Sequence, residues 1–430
     1  MNNNLPKGAK VFNVIRANAS EVFVNTVPSA TKDNIQTIKN ILFNDAYTPM
    51  LNEFVNGLIN RIGLTIIRNK SFNNPLSIFK KGSVPLGTDI QDIYENPAVA
   101  EQYEYSNTAM AKLLTITDPD THVAYYRRNR QDLYTKTIAR EGLQGAFTSW
   151  EEFENYVAGI TNSLYSGNYI DEFKYTKQLV DGAYNNNKVI QRVVTNPTNE
   201  STSKAFLKQV RALYDMMTFP STDYNAYSKF SGAKGTITTW TDSDRICLIV
   251  RADVMANVDV DALASAFNIE KADFIGRVIK VDKFKNDEIL GVVCDESWLQ
   301  IYDNIFRFDE FYNARTMSWN EYLHAWGTYA ICPFANAVML VTSESKPATE
   351  ISAEVDDPLV VMGTANVTVT LEPENATSEV SYTTSNENVF TVEKISNTSA
   401  MLTGVGKGTA TLQIRTDNVL NADSNITVSE

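Results

Sequence analysis

Histidine is nearly missing from this chain: only His122 and His324 occur, far apart and in unrelated contexts. Two isolated imidazoles leave no base for a Ser or Cys nucleophile and no histidine cluster for a metal. Cysteine is scarce as well. Cys247, Cys294 and Cys332 lie at wide intervals without CxxC or CxxH spacing, so neither a disulfide framework nor a zinc site is expected and a reducing cytoplasm suits the chain. No run of about eighteen apolar residues exists to span a membrane as a helix. The Asn-rich start, Met1–Lys10, lacks the apolar core of an export signal, so synthesis and use in the cytoplasm are expected. GxSxG, GxGxxG, HExxH and phosphate-loop patterns are absent too. Gly232-Ala-Lys-Gly235 has neither the spacing nor the Ser/Thr of a phosphate loop. The chain is therefore read as a non-enzyme, with no catalytic residue, no cofactor and no metal.

Positive charge is also in short supply. The chain holds 51 acids against 38 bases, a net charge of −13. Between Lys346 and Glu430 twelve acids face four bases, net −8, and the preceding residues carry net −5. Neither part has the basic footprint that phosphate neutralisation requires, which excludes a nucleic-acid reader. Asp118-Pro-Asp120 and Asp242-Ser-Asp244 lack a third ligand and are read as surface turns. Asp253, Asp259 and Asp261 are read as helix-start acids. The Arg127-Arg-Asn-Arg130 cluster is the one basic patch. Against an acidic total it is read as pairing with acids of a neighbouring subunit.

What is present is ample apolar content, 43%, with 20 Tyr, 20 Phe and 5 Trp, enough for two or three cores and for packed interfaces. A composition break falls at Ser343–Thr349: after it the only aromatics are Tyr382 and Phe390. The tail alternates as short strands (Val367, Val369, Leu371; Val380, Tyr382; Ala410, Leu412, Ile414) separated by turn clusters, about seven strands of the sandwich pattern. Leu371-Glu-Pro-Glu-Asn-Ala-Thr, Tyr382 to Val392 and Gly404-Val-Gly-Lys-Gly-Thr-Ala-Thr-Leu412 resemble a bacterial immunoglobulin-like domain of group 2, over about 349–430, behind a linker at 346–348.

The first 345 residues mix helix and strand without βαβ repetition, an α+β layout. Thr48-Pro49 opens a helix with Leu51, Phe54, Leu58 and Ile62 on one face. Ser149-Trp-Glu-Glu152 is a capping box before Trp150, Phe153, Val157, Ile160 and Leu164. A break is expected at Gly167-Asn168, with a second helix from Asp171 carrying Phe173, Thr176, Val180 and Tyr184. Phe206, Val210, Leu213 and Met217 mark a further helix, and Val260, Leu263 and Phe267 another behind an Asp259 cap. Strands are expected at Ile246–Arg251, Arg277–Asp282, Ile289–Cys294 and Tyr329–Val341. His324, within Trp319-Asn-Glu-Tyr-Leu-His-Ala-Trp326, is read as core or interface packing. Arg61–Tyr94 stands apart: it is basic, broken by Pro75, Gly82, Pro85 and Gly87, and its apolar residues are spaced irregularly. Such a piece is either a long loop or one that finds its partners on a neighbouring chain.

Many short stretches of this part resemble the major capsid proteins of phi-twenty-nine-like podoviruses. They are Asn73-Asn-Pro-Leu76, Phe79-Lys-Lys-Gly82, Pro85-Leu-Gly87, Ile93-Tyr94, Arg128-Asn-Arg-Gln131, Trp150 with Phe153-Glu154, and Leu179-Val-Asp181. Asp259-Val-Asp261, Ala266-Phe-Asn268, Asp273-Phe-Ile-Gly276, Tyr302-Asp-Asn304, Trp319-Asn-Glu-Tyr322, Trp326 and Phe334-Ala-Asn-Ala-Val338 complete the set. The resemblance implies the tailed-phage capsid fold named after phage Hong Kong ninety-seven. On it, an N-terminal arm falls at about 1–60, an extended loop at 61–125, helices including the spine at 147–186, an axial domain at 200–275 and peripheral strands at 280–342. The extended loop of that fold lies across an adjacent subunit, which makes Phe72, Leu76, Phe79, Lys80, Lys81 and Leu86 candidates for the subunit interface, together with Arg127, Arg128 and Arg130. The implied partners are further copies in hexamers and pentamers of a closed icosahedral or prolate shell, a scaffolding protein, a portal or connector, and packaged double-stranded DNA without sequence-specific contact; no membrane is implied. The implied location is the virion, with assembly in the host cytoplasm. Some relatives of the fold weld subunits through a Lys–Asn bond, but nothing here specifies a partner for Lys80 or Lys81, and no crosslink is assigned. The alternatives are a bacterial surface or adhesion protein, since immunoglobulin-like domains of this group occur there, and a phage head-fibre or tail component.

Overall fold

The computed structural model describes residues 5–44, 48–64, 72–100, 116, 118–230, 235–261, 277–356 and 358–430. The elements run α1 (Lys7–Ala17), α2 (Glu21–Thr26), α3 (Ile35–Leu42), α4 (Thr48–Leu64), β1 (Lys80–Ser83), β2 (Ile90–Glu95), β3 (Thr121–Tyr126), β4 (Arg130–Ala139), α5 (Arg140–Ala146) and α6 (Trp150–Asn185). Then come β5 (Ile190–Val193), α7 (Glu200–Met216), α8 (Ala226–Phe230), β6 (Ile246–Arg251), α9 (Ala252–Asp261), β7 (Arg277–Val281), β8 (Ile289–Asp295), β9 (Leu299–Asn313), β10 (Ser318–Ile331) and β11 (Ala337–Val341). The tail adds β12 (Glu350–Val355), β13 (Leu359–Val360), β14 (Thr364–Glu372), β15 (Val380–Thr384), β16 (Phe390–Lys394), β17 (Ser399–Gly404), β18 (Gly408–Thr416) and β19 (Ser424–Ser429). The chain divides into two compact units: Met1–Ile90, Tyr125–Tyr175 and Gln300–Ala330 form one, and Gln91–Ala124, Thr176–Leu299 and Ile331–Glu430 the other.

In the first unit a sheet of order β1-β9-β10-β4 shares a core with the helices around it. Phe12, Phe54, Phe147, Trp150 and Phe153 meet ring against ring, Phe12 to Phe54 at 5.3 Å and Phe147 to Phe153 at 4.8 Å. Helical spacing in α1, α4 and α6 delivers four of these rings to one place, Phe147 joins them from the end of α5, and aromatic pairs add to the apolar area they bury. β4 and β10 pair antiparallel from Arg130↔Gly327 to Ala139↔Ser318, while β1 joins β9 in parallel.

Helix α6 departs from expectation. It runs unbroken for 36 residues through Gly167-Asn168, where a stop was expected. The glycine lowers helix propensity, but tertiary packing overrides it. Gly167 faces the Tyr134 ring, which a β-carbon would meet at 3.4 Å, and Asn168 is buried and hydrogen-bonded to Arg130 and Glu172.

The second unit holds a five-stranded sheet of order β5-β11-β8-β6-β7. All seven residues of β8 are buried, so it is a central strand covered on both faces. Against the sheet pack α7, started by an Asn199–Thr202 capping box, and α9. Two expectations are corrected here. The expected strand Tyr329–Val341 is two strands in different sheets, because the chain leaves β10 at Ile331 and passes Pro333 before β11 begins. Asp259 is not a cap: α9 starts at Ala252, and its first-turn acid is Asp253, whose carboxyl is held below the usual range by its hydrogen bond to Arg251. Leu263, Phe267, Ala266-Phe-Asn268 and Asp273-Phe-Ile-Gly276 lie outside the described residues.

The tail forms two four-stranded sheets, β12-β14-β17-β16 and β13-β19-β18-β15, around one core. Burial along β14 alternates strictly, with Ala365, Val367, Val369 and Leu371 inward, as period-two patterning dictates. The 346–348 segment is seated rather than free. Ser345 and Gln191 exchange hydrogen bonds, Lys346 O accepts from Thr377 N, Thr377 Oγ1 donates to Asn185 O at 3.2 Å, and Lys285 pairs with Glu379.

The tail core shares no member with the core of the five-stranded sheet. A chain ending after Ser343 is therefore expected to keep that sheet folded. Denaturant unfolding followed by the fluorescence of buried Trp298 checks this, and loss of the cooperative transition would contradict it.

Candidate subunit-contact surfaces

The interface candidates of the first 130 residues separate by burial into two groups. Leu76 and Phe79 are fully buried within their own unit, and Asn74 folds the turn before them by accepting from the Leu76 amide. Lys80 follows at the start of β1, with Nζ 3.0 Å from Glu172 on α6 and 2.8 Å from Asp303 on β9. Burial alone would lower its pKa, but the two carboxylates outweigh it and the ammonium is held above its ordinary value.

Arg130 is buried deeper still. Its guanidinium donates to Asp132 at 2.7 Å, Tyr329 at 2.8 Å, Tyr134 at 3.0 Å and Asn168 at 2.7 Å. Glu172 stands 3.8 Å away and the Tyr175 ring lies under the cation at 5.1 Å. Desolvation opposes this charge, yet the surrounding oxygens raise its pKa further. A planar, permanently charged fork with five donors meets these demands, and lysine would not. Leu76, Phe79, Lys80 and Arg130 thus have partners within their own unit.

The others face solvent. Phe72 packs edge-on to Phe173 at 5.3 Å and stays partly open, Lys81 is exposed, and Leu86 is 51% exposed. Arg127 pairs with Asp89 at 2.9 Å on the surface, and Arg128 lies over the Trp326 ring at 4.9 Å. Arg68 and Lys70 lie outside the described residues.

Sequence reasoning passed over a second exposed surface. β2 and β3 form a two-stranded ribbon whose inner edge is pinned: Tyr94 donates to Thr238 O at 2.6 Å, Asn96 exchanges hydrogen bonds with the 236–238 segment, and His122 Nδ1 meets the Tyr227 hydroxyl at 3.0 Å. Its outer face carries Ile93, Val123 and Tyr125, exposed by 57%, 41% and 65%. The signal lay in the alternation Ile93 and Glu95, Val123 and Tyr125, once the two runs are read as paired strands. A further patch sits after α7, where Ser221 pairs with Thr239 and brings Phe219-Pro220 beside Trp240, with Phe219 67% and Trp240 48% exposed.

Among the described residues no group of three metal-ligating side chains occurs, and all three cysteines are buried and in no disulfide. His324 is half-buried against Trp326, near Asp309 at 3.8 Å.

The α+β body with its long helix shares the fold of a solved phage capsid. The structure matches the capsid structure of Staphylococcus phage Andhra with a TM-score of 0.53 at 14% identity, covering 65% of this chain and 87% of that one. The sequence model of the Phi29-like phage major capsid protein family matches residues 12–341, and the chain belongs to that family. It is 34% identical over 345 residues to the major capsid protein of Bacillus phage PZA, spanning 79% of this chain and 74% of that protein. It is also 34% identical to that of Bacillus phage B103, over the same shares, 79% and 74%. The protein is thus a structural shell subunit of a phage virion, in a family that is not an enzyme class.

Replacing Arg130 with Ala leaves Asn168, the buried Tyr329 hydroxyl and the Asp132 and Glu172 carboxylates without the cation. A loss of about 3 kcal/mol in subunit stability is expected, read as a lower denaturant midpoint. A change within experimental error would show that the buried cation is dispensable.

Proposed function

We propose that the subunit builds its shell through the outer face of the β2–β3 ribbon and the Phe72–Leu86 segment, each laid on a neighbouring copy, with hexamers and pentamers closing by heterologous contact. The observation that carries this is the ribbon's apolar outer face, Ile93, Val123 and Tyr125, on a two-stranded element too thin to bury it. A two-stranded ribbon alone is marginal in water, and heterologous contacts close into rings when their rotation permits. Phe72, Lys81, Leu86, Arg127 and Arg128 are further contact residues in this reading. The Phe219-Pro220 and Trp240 patch offers a second contact of the aromatic kind that dominates interfaces.

In this reading α6 is the spine, β1, β4, β9 and β10 the peripheral sheet, and α7, α9 and the five-stranded sheet the axial domain. The strands Arg277–Val281, Ile289–Asp295 and Ala337–Val341 go with the axial domain in this reading because β7 and β8 pair with β6 and β11 pairs with β8. The tail is an immunoglobulin-like module; its eight alternating strands in two sheets over one core support this. Its net charge of −8 over Lys346–Glu430 suits a solvated knob on the shell. Hydrogen bonds and an ion pair at its base argue for a fixed seat rather than a tether. A scaffolding protein, a portal and packaged double-stranded DNA complete the partners that family resemblance implies, with assembly in the host cytoplasm.

The test is the double substitution Ile93→Ser with Tyr125→Ser, expressed with and without the tail. Folded subunits with at least about a tenfold loss of closed particles are expected, following the hot-spot scale of buried aromatics. Wild-type particle yield by electron microscopy would sink the ribbon assignment. The tail-less chain carrying the native ribbon is expected to assemble; failure there would make the tail part of the lattice.

A further inference from the structure

One pair of groups in the first unit has no place in packing or assembly. Glu321 lies on the inward face of β10, between Trp319 and Leu323, with no solvent exposure, and neither carboxyl oxygen has a hydrogen-bond partner. On the adjacent strand β9, Glu310 lies between Phe308 and Tyr312, which pack against the same core, and its Oε2 is likewise buried and unbonded. The rings of Tyr312 and Trp319 meet at 5.3 Å beside them. An unsatisfied buried carboxyl is costly, and its retention calls for a role.

The elements packed around the pair offer little compensating charge. β4 supplies Lys136, the register partner of Glu321, whose residue is solvent-exposed. α6 supplies Tyr156, a neutral hydroxyl itself pushed up by burial and by Glu321. α4 supplies Asn52, which is engaged with the Trp319 indole at 3.2 Å. Arg307, Asp309 and His324 pair among themselves, at alternation positions belonging to the opposite sheet face. Among the described residues no cation meets the two carboxyls inside the core.

We propose that Glu310 and Glu321 form a proton-holding carboxyl pair that makes the packing of the β9–β10 hairpin against α6 depend on pH. With a proton present the pair is an uncharged filler of an apolar core; without it, a buried charge pushes hairpin and helix apart. Burial, the Glu310 charge and only weak relief from Lys136 raise the Glu321 carboxyl to about 8, and burial raises Glu310 to about 7. The sign follows. In the unfolded chain both release protons near the ordinary value of 4.5, whereas the folded chain keeps them to higher pH. The stabilisation is thus complete below that value and is lost as pH climbs through 7 to 8. The device does not rest on the assembly reading, since it lies inside one subunit.

The experiment compares wild type, Glu321→Gln and Glu310→Gln as full-length chains, measuring unfolding rate from pH 5 to 9 and the infrared carbonyl band of protonated carboxyls at pH 7. Wild type is expected to unfold faster toward pH 9 and to show the band. E321Q should lose the larger part of the band, the remainder belonging to Glu310, and unfold on the order of tenfold more slowly than wild type at pH 9, with little difference at pH 5, one pKa unit corresponding to a factor of ten. E310Q should shrink the alkaline acceleration and serves if E321Q fails to fold. The proposal is overturned if wild type lacks the protonated band, or if the alkaline acceleration persists unchanged in both variants.

Discussion

The buried cation of Arg130 organises the first unit. It sits where β4, β10 and α6 converge, and a charge taken out of water there is tolerable only if every direction around it is filled. Asp132, Tyr134, Asn168, Tyr329 and the Tyr175 ring fill them. Glu172 then stands between two cations, sharing Lys80 with Asp303, so the base of the extended segment is tied to the same hub. Asn168 must be helical to face the cation, which is why α6 continues through a glycine.

That hub also explains the division of labour along Phe72–Leu86. The half that reaches the hub, Leu76 to Lys80, is core. Beyond it β1 runs along β9 to Ser83, and the Leu86 side chain that follows is 51% exposed. In the proposed assembly the root fixes the direction of the contact and the exposed end meets a neighbouring copy. Pre-organisation of this kind lowers the ordering cost of each new contact.

Much of this was legible in the chain. Helical spacing located α4, α6 and α7, the β-branched run marked β6 to the residue, and the composition break found the tail with its alternating strands. Family resemblance pointed to the capsid fold from scattered short motifs. What was not legible depended on tertiary partners. Nothing local marks Arg130 as buried rather than a surface cation, since its neighbours Arg127 and Arg128 are exposed and look identical in sequence. Strand Tyr329–Val341 was drawn as one because its apolar content is continuous, and only sheet membership separates its halves. The long β9–β10 hairpin went unseen for a related reason: half-buried aromatics on both faces blur the period of two.

The central claim is that the ribbon's outer face is open in the free subunit and covered in the shell, while the hub is closed in both. Hydrogen exchange on free subunits and on assembled particles reads this directly. The account predicts that amides of Ile90–Glu95 and Thr121–Tyr126 gain protection only on assembly, whereas those of Arg130–Ala139 and Trp150–Asn185 are protected throughout. Equal exchange of the ribbon in both states, or fast exchange of the hub strands in the free subunit, would contradict it.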